Sequence, residues 1–203
     1  MDVSYERIPF NQIRKTLETT FDHCSGHVYP LLKLDDQLCV LVGHNAKYGN
    51  VASFGGFSEQ YEGSQDKESL LETILREYEE ESLECVTDRE TLKNKIFEKS
   101  ALITRKSPKG CHYTIFCFFD NLNIDPSIIN QKFKEKRNDP NLTLTKGQLE
   151  NDYVVCIPLN NIKEQDKGLM NDLTTSDFND NEITIRSINM PAYRWLLSSD
   201  FLN

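Results

Sequence analysis

Four of the five residues from Glu77 to Glu81 are glutamates. Like charges four residues apart, such as Glu77 and Glu81, destabilise a helix by roughly 0.2–0.5 kcal/mol, so water or a cation must offset the repulsion. On a helix, positions 77, 80 and 81 share one side. Glu79 points away from that side, and we expect it to be solvated. The spacing therefore predicts that the carboxylates of Glu77, Glu80 and Glu81 converge on one site.

Clustered carboxylates are hard oxygen ligands, which suit Mg²⁺ or Mn²⁺ with water and phosphate oxygens completing the shell. Arg76 follows Glu72 by four residues and Glu68 by eight, so it can pair with either on a helix surface. We expect Arg76 to orient the carboxylates and not to bind substrate. The carboxylates therefore predict a Mg²⁺ or Mn²⁺ site whose remaining positions water and phosphate oxygens could fill.

The order and spacing of a glycine, an arginine and four glutamates resemble the signature of the Nudix hydrolases. The matching positions are Gly56, Glu68, Arg76, Glu77, Glu80 and Glu81. The resemblance implies that the last three glutamates bind the divalent metal and that Glu68 pairs with Arg76. It also implies an α/β (α+β) fold, a Nudix-like α/β/α sandwich with a mixed β-sheet and a central catalytic helix.

The sequence departs from the family pattern at two places. Eleven residues separate Gly56 from Glu68, more than the family normally has, and Glu62 fits the usual spacing better. We prefer Glu68 because the helix phase fixes its distance to Arg76. Leu83 stands where the family has a glycine after the paired glutamates, so the helix must end differently.

A general base is usually a further carboxylate, which the family often supplies from outside the signature. Glu150 and Asp152, just before the segment YVVCIPL, are the first candidates. Glu59 and Glu62 in the enlarged loop are alternatives, and the sequence does not choose among the four.

Substrate contacts are predicted around the double glycine. Gly55 and Gly56 permit a close approach that no side chain would tolerate. The aromatic residues Tyr48, Phe54 and Phe57 could stack on a base, although such residues more often fill a core.

Strand patterns flank the glutamate-rich segment. Residues 27–42 predict a hairpin with its turn at Asp35-Asp36, and residues 101–104 and 113–120 predict a second hairpin. Residues 153–158 predict a late strand. Val51 to Phe54 leads into the double glycine, which places that glycine pair before the glutamate-rich helix.

Helical patterns fall in three segments. Apolar residues recur at helical spacing from Asp66 to about Leu83. A short helix is predicted at 128–136, and another at 192–202 with Trp195 and Leu196 on the sheet. We expect a single Nudix-like hydrolase domain over residues 1–203, with insertions near 58–65 and 125–147.

The composition restricts the partners. The net charge of −9 disfavours extended binding to nucleic acid, whereas a cation can bridge a small anionic substrate. The six cysteines form no CxxC pair, which is typical of a reducing compartment. No apolar run is long enough for a membrane span, so we expect a cytoplasmic protein that does not bind membranes.

The resemblance implies a phosphoanhydride hydrolase that acts on a nucleoside-diphosphate-linked substrate, such as ADP-ribose or a dinucleoside polyphosphate. Two alternatives stay open: an mRNA-decapping enzyme that uses the basic segment Lys132 to Arg137 on capped RNA, and a catalytically silent nucleotide- or protein-binding module. Many members of the family are dimers, so a homodimer is also open.

Overall fold

The computed structural model describes residues 5–119, 125–168 and 171–202. Within them, ten strands form one mixed sheet and six α-helices cover it. The strands are β1 (Glu6–Arg7), β2 (Cys24–Leu34), β3 (Gln37–Asn45), β4 (Asn50–Ala52), β5 (Phe54–Phe57), β6 (Ser100–Ser107), β7 (Gly110–Phe119), β8 (Asn151–Pro158), β9 (Leu173–Ser176) and β10 (Glu182–Ile185). The helices are α1 (Phe10–Leu17), α2 (Leu70–Ser82), α3 (Arg89–Glu98), α4 (Pro126–Arg137), α5 (Leu159–Gln165) and α6 (Met190–Ser198).

Strand β2 organises the sheet. It pairs in parallel with β7 and antiparallel with β3, and its first residues pair antiparallel with β5. The predicted turn between β2 and β3 is confirmed, since Asp35 and Asp36 both have a positive φ, 44° and 63°, as a tight hairpin turn requires. The pairing with β5 sets Gly55 opposite His27 and Gly56 opposite Gly26.

The sheet is buried on both faces. Alternate residues of β3 enter two separate cores: Cys39 and Leu41 face the first, and Val40 and Val42 face the second. Helices α1 to α4 complete the first core, and α5 and α6 complete the second. The predicted α/β/α sandwich with a mixed sheet is thereby confirmed, and double-sided burial explains why β2 and β3 are apolar almost throughout.

Several predicted boundaries are corrected. Helix α2 begins at Leu70 and not at Asp66, because the hydroxyl of Ser69 accepts a bond from the Glu72 amide and caps it. The second hairpin is longer than predicted, and Asp120 lies outside the described residues. The late strand begins at Asn151, and the C-terminal helix covers Met190–Ser198, followed by a short 3-10 turn. The predicted helix at 128–136 is confirmed as α4.

Within the described part of the chain, no helix is both long and apolar enough to cross a membrane. All six cysteines are free thiols, which agrees with the absence of a disulfide framework from the sequence pattern.

Candidate active site

Helix α2 carries the predicted carboxylates along the edge of its buried face. Leu70, Ile74 and Tyr78 on the adjacent stripe are fully buried. The side chains of Glu77 and Glu80 retain 12% and 27% of their exposure, and Glu81 is buried. Apolar packing of the helix therefore sets three carboxylates at the boundary between core and solvent.

Glu68 and Arg76 form the predicted pair, and the pair is bidentate. Arg76 Nε donates to Glu68 Oε1 at 2.8 Å, and Nη2 donates to Oε2 at 3.2 Å. Glu68 Oε2 also accepts from the Glu59 amide at 3.1 Å and from the Thr73 hydroxyl at 3.2 Å. A carboxylate with this many donors is held in one position. The eight-residue spacing thus identified the partner of Arg76 correctly.

Arg76 also contacts two of the three predicted metal ligands. Its Nη1 lies 3.0 Å from Glu77 Oε1 and 3.1 Å from Glu80 Oε2, while Glu59 Oε1 lies 3.9 Å away. The side chain is only 18% exposed, so its charge is poorly screened by water. Arg76 therefore contacts Glu68, Glu77 and Glu80 at once, and its role in orienting the carboxylates stays a prediction.

The double glycine fits against these carboxylates. The Gly55 amide donates to Glu81 Oε2 at 2.7 Å. A Cβ at Gly56 would overlap Glu77 Oε1, and a Cβ at Gly55 would overlap the carbonyl oxygen of Gly26. A side chain at Gly56 would therefore displace the Glu77 carboxylate, and one at Gly55 would clash with the backbone of strand β2.

Burial and mutual repulsion alter the acidity of two glutamates. Burial raises the pKa of Glu77 to about 7, although Arg76 works against the shift, and the charges of Glu80 and Glu150 add to it. Burial also raises the pKa of Glu81 well above its ordinary value, with Glu77 as the next cause. Both carboxylates would be stabilised in their charged form by a nearby cation.

The metal site itself stays a prediction. Across residues 5–119, 125–168 and 171–202, no three His, Cys, Asp or Glu side chains are grouped closely enough to hold a metal ion. Glu77 and Glu80 instead share Arg76 Nη1. The donor chemistry fits a hard divalent cation nonetheless, because three carboxylates lie on one helix face and burial opposes the charge of two of them.

A cavity of about 570 Å³ opens beside this cluster. Six of the predicted site residues line it: Tyr48, Gly55, Gly56, Phe57, Glu81 and Glu150. Its volume is in the range of small-molecule sites. Glu150 lies close enough to raise the pKa of Glu77 and of Glu81 by its charge, so it is the candidate base that the fold brings to the carboxylates.

Two predicted residues lie elsewhere. Phe54 is fully buried and packs edge-on against Tyr78, with ring centroids 5.7 Å apart. It therefore belongs to the core and not to the substrate-binding surface, because its position in β5 turns its side chain toward α2. Asp152 does not line the cavity, and its Oδ1 lies 2.6 Å from His44 Nδ1.

Glu79 does point away from the carboxylate site, but it is not simply solvated. Arg89 Nη1 donates to Glu79 Oε2 at 3.2 Å, and Arg89 Nη2 bonds Glu72. Glu72, the alternative partner proposed for Arg76, thus belongs to a second ion-pair group on the outer side of α2.

The helix exit differs from the family pattern, as the missing glycine implied. Leu83 and Glu84 both adopt the left-handed conformation, with φ of 50° and 48°, which is strained for a residue with a side chain. Leu83 is buried in the first core. Lys136 Nζ, from α4, donates to the Leu83 carbonyl at 2.8 Å and reaches the Glu84 carbonyl at 3.4 Å.

Sequence analysis did not find the polar groups on the remaining cavity wall. They include Ser25, His27, Arg105, His112, Arg186 and Asn189. Ser25 and His27 alternate on β2, but nothing in the local sequence marks them or the other four as parts of one site. The tertiary fold brings them together.

No protein-family model and no curated protein sequence matches the chain. Comparison with solved structures gives matches to Nudix proteins. The Nudix domain of NrtR from Shewanella oneidensis, solved with ADP ribose, is 11% identical with a TM-score of 0.44, and the match covers 89% of this chain and 91% of that chain. Ap4A hydrolase from C. elegans, in a binary complex, is 11% identical with a TM-score of 0.41, and the match covers 70% and 84% of the two chains.

Proposed function

We propose that this protein is a Nudix pyrophosphohydrolase, a divalent-metal-dependent enzyme that cleaves a phosphoanhydride bond in a nucleoside-diphosphate-linked small molecule. The observation that carries the proposal is the carboxylate cluster of Glu77, Glu80 and Glu81, oriented by the bidentate Arg76–Glu68 pair beside a nucleotide-sized cavity. A merely solvated helix face would not bury Glu81 or bond it to the Gly55 amide.

Glu77, Glu80 and Glu81 would hold Mg²⁺ or Mn²⁺. When bound, the cation would neutralise the diphosphate and lower the pKa of a coordinated water. The raised pKa of Glu77 and that of Glu81 support this assignment, because a cation would relieve the cost of their charge.

The protein's own groups supply positioning and proton transfer. Arg76 and Glu68 hold the helix carboxylates at fixed positions. Glu150 is the proposed general base, because it is a carboxylate at the cavity wall next to the cluster. Tyr48 and Phe57 line the cavity with more than half of each residue exposed. The ring of Phe57 is available to stack on a base, whereas the ring of Tyr48 already has the Arg186 guanidinium 4.8 Å from its centroid.

The proposal also covers the domain, the substrate class, the location and the oligomeric state. We propose one hydrolase domain over residues 1–203, acting on a small nucleotide-type substrate. Cytoplasmic location and a homodimer remain predictions. Capped RNA is the less favoured substrate, since Lys136 of the basic segment is bonded to the end of α2 and the net charge of −9 repels a polyanion.

Nucleotide release from a panel of substrates tests the proposal. The panel contains ADP-ribose, dinucleoside polyphosphates, nucleoside triphosphates, an inositol pyrophosphate and capped RNA, each with Mg²⁺, Mn²⁺ or EDTA. We expect metal-dependent turnover of at least one small compound, and a loss of at least about a hundredfold in Glu80→Gln/Glu81→Gln.

Glu79→Gln is the matched control, because it removes one charge from the same helix on the side away from the cluster. It should retain wild-type turnover. If no compound is hydrolysed but one still binds, the binding-module alternative is the better account. If only capped RNA is hydrolysed and salt abolishes the activity steeply, the decapping alternative replaces the proposal.

A further inference from the structure

The cavity has a basic side as well as an acidic one. Arg105, on β6, and Arg186, just after β10, both line it. In the sheet, β6 and β10 lie on opposite sides of β2. The two arginines thus reach one cavity from opposite sides of β2. Ser25 and His27, on β2, lie between them in the order of the strands.

Neither arginine has a carboxylate partner within the described residues. In those same ranges, five other arginines each have an Asp or Glu oxygen within 4.0 Å: Arg7, Arg14, Arg76, Arg89 and Arg194. The chain has 32 acidic and 23 basic residues, so acidic partners are plentiful. A shortage of acidic residues therefore does not explain why two arginines in one cavity are unpaired. Their lack of carboxylate partners is a property of the site.

The Nε–H of Arg105 is buried and has no hydrogen-bond partner. A buried donor without an acceptor is costly, and a buried charge without a counter-charge more so. Arg186 makes a cation–π contact: its guanidinium lies over the ring of Tyr48, 4.8 Å from the centroid. This contact holds the charge at the cavity without neutralising it.

The imidazoles near Arg105 add no positive charge to this side of the cavity. His112 lies opposite Arg105 in the β6–β7 pairing, and Ser25 Oγ links His112 Nδ1 at 2.7 Å to His27 Nε2 at 3.2 Å. Burial, with the charge of Arg105 adding to it, lowers the pKa of both histidines, that of His27 to about 4. Near neutral pH the histidines are therefore uncharged, and the arginines are the charged groups on this side.

We propose that Arg105 and Arg186 form a subsite for a phosphate group of the substrate, separate from the phosphates that the α2 carboxylates would hold through metal. The inference rests on the proposed function and narrows its substrate class. The favoured substrates carry a phosphate beyond the cleaved anhydride, as in a polyphosphate chain longer than a diphosphate or a terminal phosphomonoester. A neutral sugar at this position would leave both guanidinium charges unpaired.

Titration calorimetry in EDTA tests the subsite without catalysis. The probes are ATP, ADP, AMP, adenosine and inorganic tripolyphosphate, and the proteins are wild type, Arg105→Gln and Arg186→Gln. We expect wild-type affinity to rise with the number of phosphates. Each variant should bind ATP and tripolyphosphate about tenfold or more weakly, while its affinity for adenosine is unchanged.

Arg137→Gln is the matched control, because within the described ranges Arg137 also lacks a carboxylate partner but lies on α4, away from the cavity. It should bind every probe as wild type does. Arg105→Lys, which keeps the charge, should recover part of the affinity. Wild-type affinity in both Gln variants, equal losses for adenosine, or no binding of any phosphate probe to the wild type would each overturn the subsite.

The two proposals can fail separately. Phosphate-dependent binding that needs the arginines, combined with no metal-dependent turnover, would leave the subsite standing and reject the hydrolase. Turnover that depends on Glu80 and Glu81 but on neither arginine would support the hydrolase and reject the subsite.

Discussion

Helix α2 carries two arginine–glutamate groups that are built from the same residue types and behave differently. On the inner side, Arg76 contacts Glu68, Glu77 and Glu80 with an exposure of 18%. On the outer side, Arg89 pairs with Glu72 and Glu79, and all three side chains are 37–46% exposed.

The difference shows that burial, and not the number of charges, decides how strongly the charges of such a group act on one another. Water screens the outer group, so its pairs contribute little to stability. In the inner group, burial removes water from charged side chains that are in contact with one another. The pKa of Glu77 rises to about 7 as a result.

Removing the arginine from the inner group should have the largest effect. Arg76→Gln leaves Glu68 and its neighbours without their counter-charge, and we expect the free energy of unfolding to fall by about 3–5 kcal/mol. Urea denaturation at pH 7.5 measures the loss. Arg76→Lys should recover only part of it, because an ammonium cannot match the bidentate contact with Glu68. A loss below about 1 kcal/mol would mean that the inner group is no more coupled than the outer one.

The pH dependence of stability should show an effect of intermediate size. The pKa of Glu77 is about 7 in the folded protein against 4.5 as its ordinary value. Between these values the folded state holds a proton on Glu77 that the unfolded state has released, so the contribution of Glu77 to stability falls as the pH rises from 4.5 to 7. The expected total from Glu77 is on the order of 3 kcal/mol in EDTA.

Denaturation curves of Glu77→Gln from pH 4.5 to 8 test this assignment. The variant should lose the part of the wild-type slope that comes from Glu77 and be the more stable protein at pH 8. Glu81, whose pKa is also raised, adds to the slope that remains, and the lowered pKa values of His27 and His112 oppose it. Glu79→Gln, from the outer group, should keep the wild-type slope. Equal slopes in wild type and Glu77→Gln would refute the assignment.

Breaking the outer group should have the smallest effect. Arg89→Gln removes contacts to Glu72 and Glu79 that are more than one third exposed, and we expect a loss of less than about 1 kcal/mol with turnover unchanged. The same urea assay and the substrate panel measure both. A loss as large as that of Arg76→Gln would erase the distinction between the two groups.

Local patterns explain how much of this arrangement the sequence could predict. The 3.6-residue period of α2 fixes which glutamates share a side, and it also identified the pair formed by Glu68 and Arg76. The two hairpins followed from apolar runs and turn residues. These features depend on neighbours in sequence, so no tertiary contact was needed to predict them.

The errors arise where tertiary contacts decide the outcome. Strand alternation sets Phe54 and Gly56 on the face of β5 toward α2, and only the packing of Phe54 against Tyr78 shows that it belongs to the core. Arg105 and Arg186 are 81 positions apart, and only the order of the strands brings them to one cavity. The pattern of α2 predicts a solvated Glu79, because its partner Arg89 lies beyond the end of that helix.

The bond from Lys136 to the end of α2 ties the inserted segment to the helix that carries the carboxylates. Backbone carbonyls at a helix end need donors, and here Leu83 and Glu84 receive one from α4. Opening of α4 would therefore remove this donor from the end of α2. In hydrogen exchange, the amides in the last turn of α2 would then report the unfolding of residues 126–137, although the two segments are more than forty positions apart in the chain.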